Sequence, residues 1–476
     1  MADVGSSGNS GFTPSESSPI IYHGWPIIQH INVAVIYWSN NTIFQNGPAP
    51  GTTGLGSADQ SLVGFFLNNL GGTSHWNINW TYYEPSTGRH VENTVTYSGY
   101  WASNTNVPPY GSRVSEGTIR NRVQAALNSG ALPYDPSTVY VVFTGSLVWL
   151  DEDGVCAYHN SMKWNGHDVY YAYVPFALEH PGCTWTDTYG SPNNDAAADA
   201  VLSGLVHEIE ETATDPIDRN GWVNVIGNHP WENADKCRTA LGSIYFASGD
   251  LSSYANVNIG GRNFMLQGNW VNDEQGGHSC ALELYNITGP AVLTDAGTHT
   301  WTFQPADAGA GVHWQHRPNG SNDWLDLADG QTLSMTRNAG EPTLQTSLRA
   351  TVSMFRPHPG DPGSYYTPVV FETPPFALTW APPGSALPVS VSLSGPTIAR
   401  PNVACWFTAT AQNGTPPYTF SWGGYTETTD GSSTVSWGGG ADSYTVTVSI
   451  TDANGGTAWA ELGVTVDENY PSNCGN

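Results

Sequence analysis

Residues 195–216 read Asp195-Ala-Ala-Ala-Asp199-Ala-Val-Leu-Ser-Gly-Leu-Val-His207-Glu208-Ile-Glu210-Glu211-Thr-Ala-Thr-Asp215-Pro216, and the fold of the chain turns on how this stretch is read. Val201, Leu202, Leu205, Val206 and Ile209 recur at helical spacing and mark one apolar face. Asn194 or Asp195 is placed to cap the start, and Pro216 ends the helix soon after Asp215. His207, Glu211 and Asp215 are four residues apart, so they stack on a different side. Ala196, Ala200, Ser203 and Gly204 lie below them on that side, and their small side chains leave room for an ion and a ligand.

Upstream segments supply the layers this helix packs on. Residues 27–38 (IIQHINVAVIYW) form a continuous apolar run with β-branched residues, the mark of a strand buried on both faces. Residues 57–70 and 115–128 show helical spacing, the second with a serine cap and a following glycine. Residues 76–83 (WNINWTYY) alternate and are expected as a strand, and residues 139–144 (VYVVFT) as another buried strand. Strand, helix, strand, helix, strand and the long helix at 195–215 define an α/β (α+β) layered domain over 20–286. A polar segment with Asp151, Glu152, Asp153, Cys156, His159, His167 and Cys183 precedes the long helix. It is expected as a disulfide-stapled excursion over the sheet, forming one wall of a cleft.

The bulk composition narrows the function classes. Fourteen basic against 41 acidic residues give a net charge of −27 over 476 residues, and Lys163 and Lys236 are the two lysines. Such a surface repels polyanions, which excludes nucleic acid and anionic membranes as partners. The chain holds 53 glycines, 19 tryptophans and 23 tyrosines, which points to a β-rich secreted protein and away from an acidic disordered one. Six cysteines fall into three local pairs, Cys156 with Cys183, Cys237 with Cys280 and Cys405 with Cys474, and none makes a Cys-x-x-Cys motif. Three structural disulfides in an oxidising compartment are the favoured reading; six reduced buried thiols are the alternative. Residues 1–19 read as a flexible arm without the apolar core of an export signal. A mature, extracellular monomer whose signal has been removed is therefore expected.

Beyond residue 286 the pattern changes to short alternating segments between Gly, Pro, Asn and Asp turns, as in Thr300-Trp-Thr-Phe303. This predicts an all-β sandwich over 287–382. A proline-rich linker is expected at 383–388 and a second sandwich at 389–476. The second contains Pro416-Pro417-Tyr418-Thr-Phe420-Ser-Trp422 and Tyr444-Thr-Val-Thr-Val-Ser-Ile450-Thr-Asp452-Ala-Asn-Gly455. Those residues resemble a polycystic-kidney-disease-type immunoglobulin-like module, which implies immunoglobulin-like sandwiches acting as spacers or adhesive modules.

Residues 27–285 resemble the phosphate-induced protein 1 family, also called EXORDIUM-like. The ordered features are the early strand, Cys156-Ala-Tyr-His159, His207-Glu208-Ile-Glu-Glu211 running into Thr214-Asp215-Pro216, Glu232-Asn-Ala-Asp235-Lys-Cys237 and Gly260-Gly261-Arg262-Asn-Phe264. The resemblance implies a secreted or wall-associated protein. It carries over the importance of the His-Glu helix and of the Glu232-x-x-Asp235 segment, and no activity.

The chemistry of that helix has three readings. His-Glu-x-x-Glu departs by one letter from the His-Glu-x-x-His of zinc peptidases, where two ligands sit one turn apart and the intervening Glu activates water. In the first reading His207, Glu211 and Glu232 hold Zn2+, Glu208 is the general base, and His159 or a tyrosine of residues 151–183 stabilises the oxyanion. Asp235 hydrogen-bonds the second nitrogen of His207, an arrangement that resembles gluzincins and gives the domain a metzincin/gluzincin-like helix. Polypeptide is then the substrate. In the second reading Glu211, Asp215, Glu232 and Asp235 hold a structural Ca2+, and the protein is a non-catalytic binder of cell-wall polysaccharide. In the third, His207 is a core histidine and the carboxylates cap helix ends or pair with Arg219, Arg238 or Arg262. A glycosidase pairing Glu208 with Glu232, or Asp151 with Glu208, is a further alternative, with Trp149, Trp164, Trp185, Trp222 and Trp231 as sugar platforms.

Overall fold

The computed structural model describes residues 20–476 apart from 86, 88, 151–154, 181, 227–228, 248–251, 274–276, 306–310, 319–320, 322, 358–365, 374, 382–387, 397, 439, 441–443, 467, 469–473 and 476. The expected arm at 1–19, the acidic residues 151–153 and all but the last residue of the expected linker lie outside the described residues. Strands dominate, helices are few, and the strands fall into several separate sheets. The chain divides into two compact units. The first contains 1–287, 303–313 and 350–374; the second contains 288–302, 314–349 and 375–476.

The first unit is built on a six-stranded sheet. Its strands are β1 (Ile31–Trp38), β2 (Thr53–Gly54), β3 (Val95–Ser103), β4 (Thr138–Thr144), β5 (Tyr158–Trp164) and β6 (His167–Val174), in the order β5-β6-β4-β1-β3-β2. β1, β3, β4 and β6 run parallel, and β5 and β2 are antiparallel edges. Side chains alternate across the sheet because the strand repeat is two residues. Val33, Val35, Tyr37, Val141 and Phe143 enter one core with helix α1 (Leu62–Leu70) and helix α3 (Ala196–Thr214). Ala34, Ile36, Trp38, Tyr140 and Val142 enter a second core with helix α2 (Glu116–Ser129). Both faces of the sheet are therefore covered, which is why β1 and β4 read as unbroken apolar runs.

Caps set the helix ends. Ser61 Oγ accepts from Gly64 N, Ser115 Oγ from Thr118 N and Asp195 Oδ1 from Ala198 N, while Gly130 closes α2 in the left-handed region at φ 69°. α1 thus begins at Ser61 rather than at 57, because Asp59 is occupied elsewhere: its carboxylate accepts from Ser61 N and from two tyrosine hydroxyls.

Two other expectations need correction. Residues 76–83 are not a strand; Trp76–Thr81 is a 3-10 helix. Thr73 Oγ1 accepts from Trp76 N, and Asn79 donates to the Trp76 carbonyl, so side chains satisfy the tight turn locally. Trp76, Asn77, Ile78 and Asn79 are all buried, so the alternation of letters marks no exposed face. Nor is the segment before the long helix wholly an excursion over the sheet. Its residues 158–174 form the hairpin β5–β6 and extend the sheet, with Tyr158, Met162, Val169, Tyr171 and Tyr173 in the second core.

In residues 287–382 strand follows strand, with no helix among the described residues. From 389 onward, two sheets share one core. Ser390–Ser394, Cys405–Gln412 and Ser432–Trp437 form one, and six strands centred on Tyr418–Trp422, Tyr444–Thr451 and Thr457–Val466 form the other. Phe407 and Val435 from the first meet Phe420, Trp422, Val446, Val448 and Ile450 from the second. All three disulfides form in the expected pairs, and Cys405–Cys474 ties the C-terminus to this core. Among the described residues no helix is long and apolar enough to cross a membrane.

Candidate metal centre

Helix α3 is buried almost all round rather than along one stripe: every residue from Ala198 to Thr214 except Gly204 is buried. Its apolar face meets the sheet, so its polar residues are enclosed by other protein rather than by water. β5 covers one side. Tyr158 points into the second core, so the two-residue repeat turns His159 to the opposite side of the sheet, onto α3. The segment after strand His229–Trp231 covers another side. There Glu232 and Asp235 are held by a 3-10 turn at Asp235–Cys237 and by the Cys237–Cys280 disulfide.

The result is a cluster of two imidazoles and four carboxylates, each residue no more than 6% exposed. His207 Nε2 lies 3.0 Å from Glu211 Oε1 and 3.5 Å from Asp235 Oδ1. His159 Nδ1 lies 3.3 Å from Glu208 Oε2 and 3.5 Å from Glu211 Oε2. His159 Nε2 lies 3.5 Å from Glu232 Oε1 and 3.3 Å from the Asp215 carbonyl. Asp235 N donates to Glu211 Oε1 at 3.1 Å. Ligand-capable atoms gather in two triads, His207–Glu208–Glu211 and His159–Glu211–Glu232, with the atoms of each within 4.8 Å of one another. His207 Nε2, Glu208 Oε1, Glu211 Oε2 and Glu232 Oε1 are buried without a hydrogen bond. Unsatisfied buried polar atoms are rare, and four converging here fit a divalent cation better than a closed polar network.

The electrostatics agree. Burial pushes Glu208, Glu232 and Asp235 above the usual carboxylate range. Burial acts on Glu211 in the same sense, but His207 and His159 outweigh it and hold Glu211 below that range. Burial depresses both imidazoles, and the surrounding carboxylates more than reverse this: Glu232, Glu208 and Glu211 at His159, Glu211 and Asp235 at His207. The carboxylates thus favour the charged form of both histidines.

The site differs from the sequence reading in three respects. His159, expected to stabilise an oxyanion, stands among the carboxylates as a ligand-capable group. Asp235 faces the same Nε2 of His207 as Glu211, so it shares that nitrogen instead of orienting the other one. The Asp215 carboxylate is turned away and accepts from Arg219 N, Asn220 N and Gly221 N, closing the turn after the helix; only its carbonyl reaches His159. Of the suggested arginine partners, Arg219 lies by Asp218, Arg238 over the Trp231 ring and Arg262 over the Phe65 ring. Glu210, which the sequence crowds with Glu208 and Glu211, faces the other way: Asn79 Nδ2 lies 3.4 Å from its Oε1, His75 Nε2 3.8 Å, and burial pushes it up to about 8.

A pocket of about 210 Å³ opens on the His207–Glu208 side. Ser203 and Gly204, the Cys156–Cys183 disulfide, Trp185, Arg238 and Gln267 line it. Of the five tryptophans suggested as sugar platforms, Trp185 lines this pocket, whereas Trp222 is buried against Tyr22, Tyr82 and Tyr83.

Fold and site together define an α/β unit that carries a buried histidine–carboxylate centre beside an open pocket. Residues 68–281, which include every member of that centre, match the phosphate-induced protein 1 conserved region. Protein EXORDIUM-like 5 of Arabidopsis thaliana is 24% identical over 252 residues, covering 47% of this chain and 64% of that protein. The alignment thus spans somewhat less than two thirds of the relative.

Proposed function

We propose that the protein is a secreted metal-dependent hydrolase of the zinc-peptidase kind. The observation that carries this reading is the convergence of four unbonded buried ligand atoms on a helix whose His-Glu-x-x-Glu register opens onto a pocket. His207 and Glu211 would hold the cation from one turn of helix, with Glu232, His159 and Asp235 available to complete the donor set. A divalent ion held by these residues would supply Lewis acidity toward a substrate carbonyl and a bound water. Glu208 lines the pocket and has a free buried oxygen, so it is placed to take the proton of the attacking water. Burial raises its pKa, which makes the carboxylate a stronger base. The disulfides and the similarity to Protein EXORDIUM-like 5 support the secreted setting. On this reading the C-terminal sheets are immunoglobulin-like, the last of them of the polycystic-kidney-disease type.

A second reading has one observation of its own. Trp406 and Trp459 stand 67% and 69% exposed on strands of the last sheet pair, as expected of a polysaccharide-binding module. The non-catalytic alternative with a structural calcium uses those residues and leaves Glu208 without work. Elemental analysis of the purified chain, with protein-cleavage assays of the wild type and Glu208→Gln, separates the two. Zinc bound, and cleavage reduced by roughly 10²–10⁴-fold in a variant that keeps the metal, supports the hydrolase. Calcium alone, with no cleavage by the wild type from acid to neutral pH, sinks it.

A further inference from the structure

We infer that the cluster holds two divalent cations bridged by Glu211. This rests on the metal-centre reading above and deepens it. The two triads share one residue, Glu211, and each has its own histidine: His207 from α3 and His159 from β5. The carboxylate of Glu211 points one oxygen at each imidazole. Oε1 is 3.0 Å from His207 Nε2, and Oε2 is 3.5 Å from His159 Nδ1. A carboxylate that offers its oxygens in two directions to two nitrogen ligands has the form of a bridge between ions, which in two-ion sites stand about 3.5–4 Å apart.

The unbonded atoms are divided in the same way. His207 and Glu208 are members of the first triad, Glu232 of the second and Glu211 of both, and each has one atom without a hydrogen bond. A single ion would be ligated by one set and leave the other with only a histidine–carboxylate contact at 3.0–3.5 Å and no hydrogen bond. Charge points the same way. Glu208, Glu211, Glu232 and Asp235, when ionised, balance two divalent ions if both histidines bind as neutral ligands. With one ion, the second imidazole has to be protonated to meet part of the remaining charge in a site no more than 6% exposed. The neighbouring carboxylates do not enter this balance: Asp215 is used by three backbone amides, and Glu210 faces Asn79 and His75. One imidazole with carboxylates at each position suits first-row ions such as Mn2+ and Zn2+.

Mn2+ is a suitable probe. The full chain, stripped by chelation and titrated with Mn2+, is expected to bind two ions and to show the spin-coupled spectrum of a Mn2+ pair in electron paramagnetic resonance. His159→Gln and Glu232→Gln, on different elements, should each lower the stoichiometry to one and leave an isolated six-line signal. Glu211→Gln should lose both ions, and circular dichroism of each variant confirms that it is folded. One ion in the wild type, unchanged in folded His159→Gln and Glu232→Gln, overturns the bridged pair and leaves the single-ion hydrolase intact. No bound Mn2+ or Zn2+ in the folded wild type overturns both.

Discussion

Two buried carboxylate sites in the first unit meet opposite fates. Asp59 accepts from Tyr37 Oη at 2.5 Å, Tyr97 Oη at 2.8 Å and Ser61 N at 3.0 Å. All three donors are neutral and aimed at it, so the charge is dispersed over a closed network that also fixes the start of α1. The cluster at Glu208, Glu211, Glu232 and Asp235 is equally buried, yet two imidazoles stand against it and four of its polar atoms make no hydrogen bond. Burial of a carboxylate is therefore no sign of a metal. The sign is a shortage of aimed neutral donors, of which Asp235 N on Glu211 is an example, because an anion in a low-dielectric interior needs either such donors or a counter-ion. Glu210 and His75 lie between the two cases, with an amide donor on one side and an unbonded His75 Nε2 on the other.

That contrast is open to direct attack. The largest effect is expected at the closed site: Asp59→Ala orphans two hydroxyls and an amide and should cost about 4 kcal/mol in denaturant unfolding. Its metal content should be unchanged; if the ion is lost as well, the two sites are not independent. His75 comes next. Burial pulls its pKa down to about 4, from 6.5 in the unfolded chain. The folded state thus refuses a proton that the unfolded state accepts. The sign follows: the stabilisation is complete above pH 6.5 and is lost as the pH falls toward 4, amounting to roughly 3 kcal/mol. His75→Asn should flatten this part of the stability–pH curve, and an unchanged slope would refute the assignment. Chelation should have the smallest effect. Removing an ion present at about 100 times its Kd lowers stability by about 2.7 kcal/mol, read as a drop in Tm that Zn2+ restores. If the chelator leaves Tm unchanged while stripping the metal, the cluster does not need a cation to fold.

Much of the layered unit was legible in the letters. β1 and β4 are apolar runs because both sheet faces are covered, and α2 and α3 carry their own caps. β3 was missed because Ser98, Gly99 and Ser103 dilute its pattern, and β5–β6 because its histidines, lysine and aspartate look like surface residues. Trp76–Thr81 misled because every residue of its first turn is buried, so alternation of letters meant nothing there.

Local chemistry dictates what a sequence states most clearly. Helical periodicity placed His207, Glu208 and Glu211 together on α3, and cysteine spacing matched the disulfides that form. Long-range packing decided the rest. His159 reaches the helix because β5 pairs with β6 and the pleat turns it inward, a consequence of sheet order that no spacing records. Asp215, in helical register with His207 and Glu211, leaves the cluster because three loop amides from 219–221 capture its carboxylate. Ligand sets are assembled by contacts between segments far apart in the chain, and only the tertiary structure fixes which way each side chain faces.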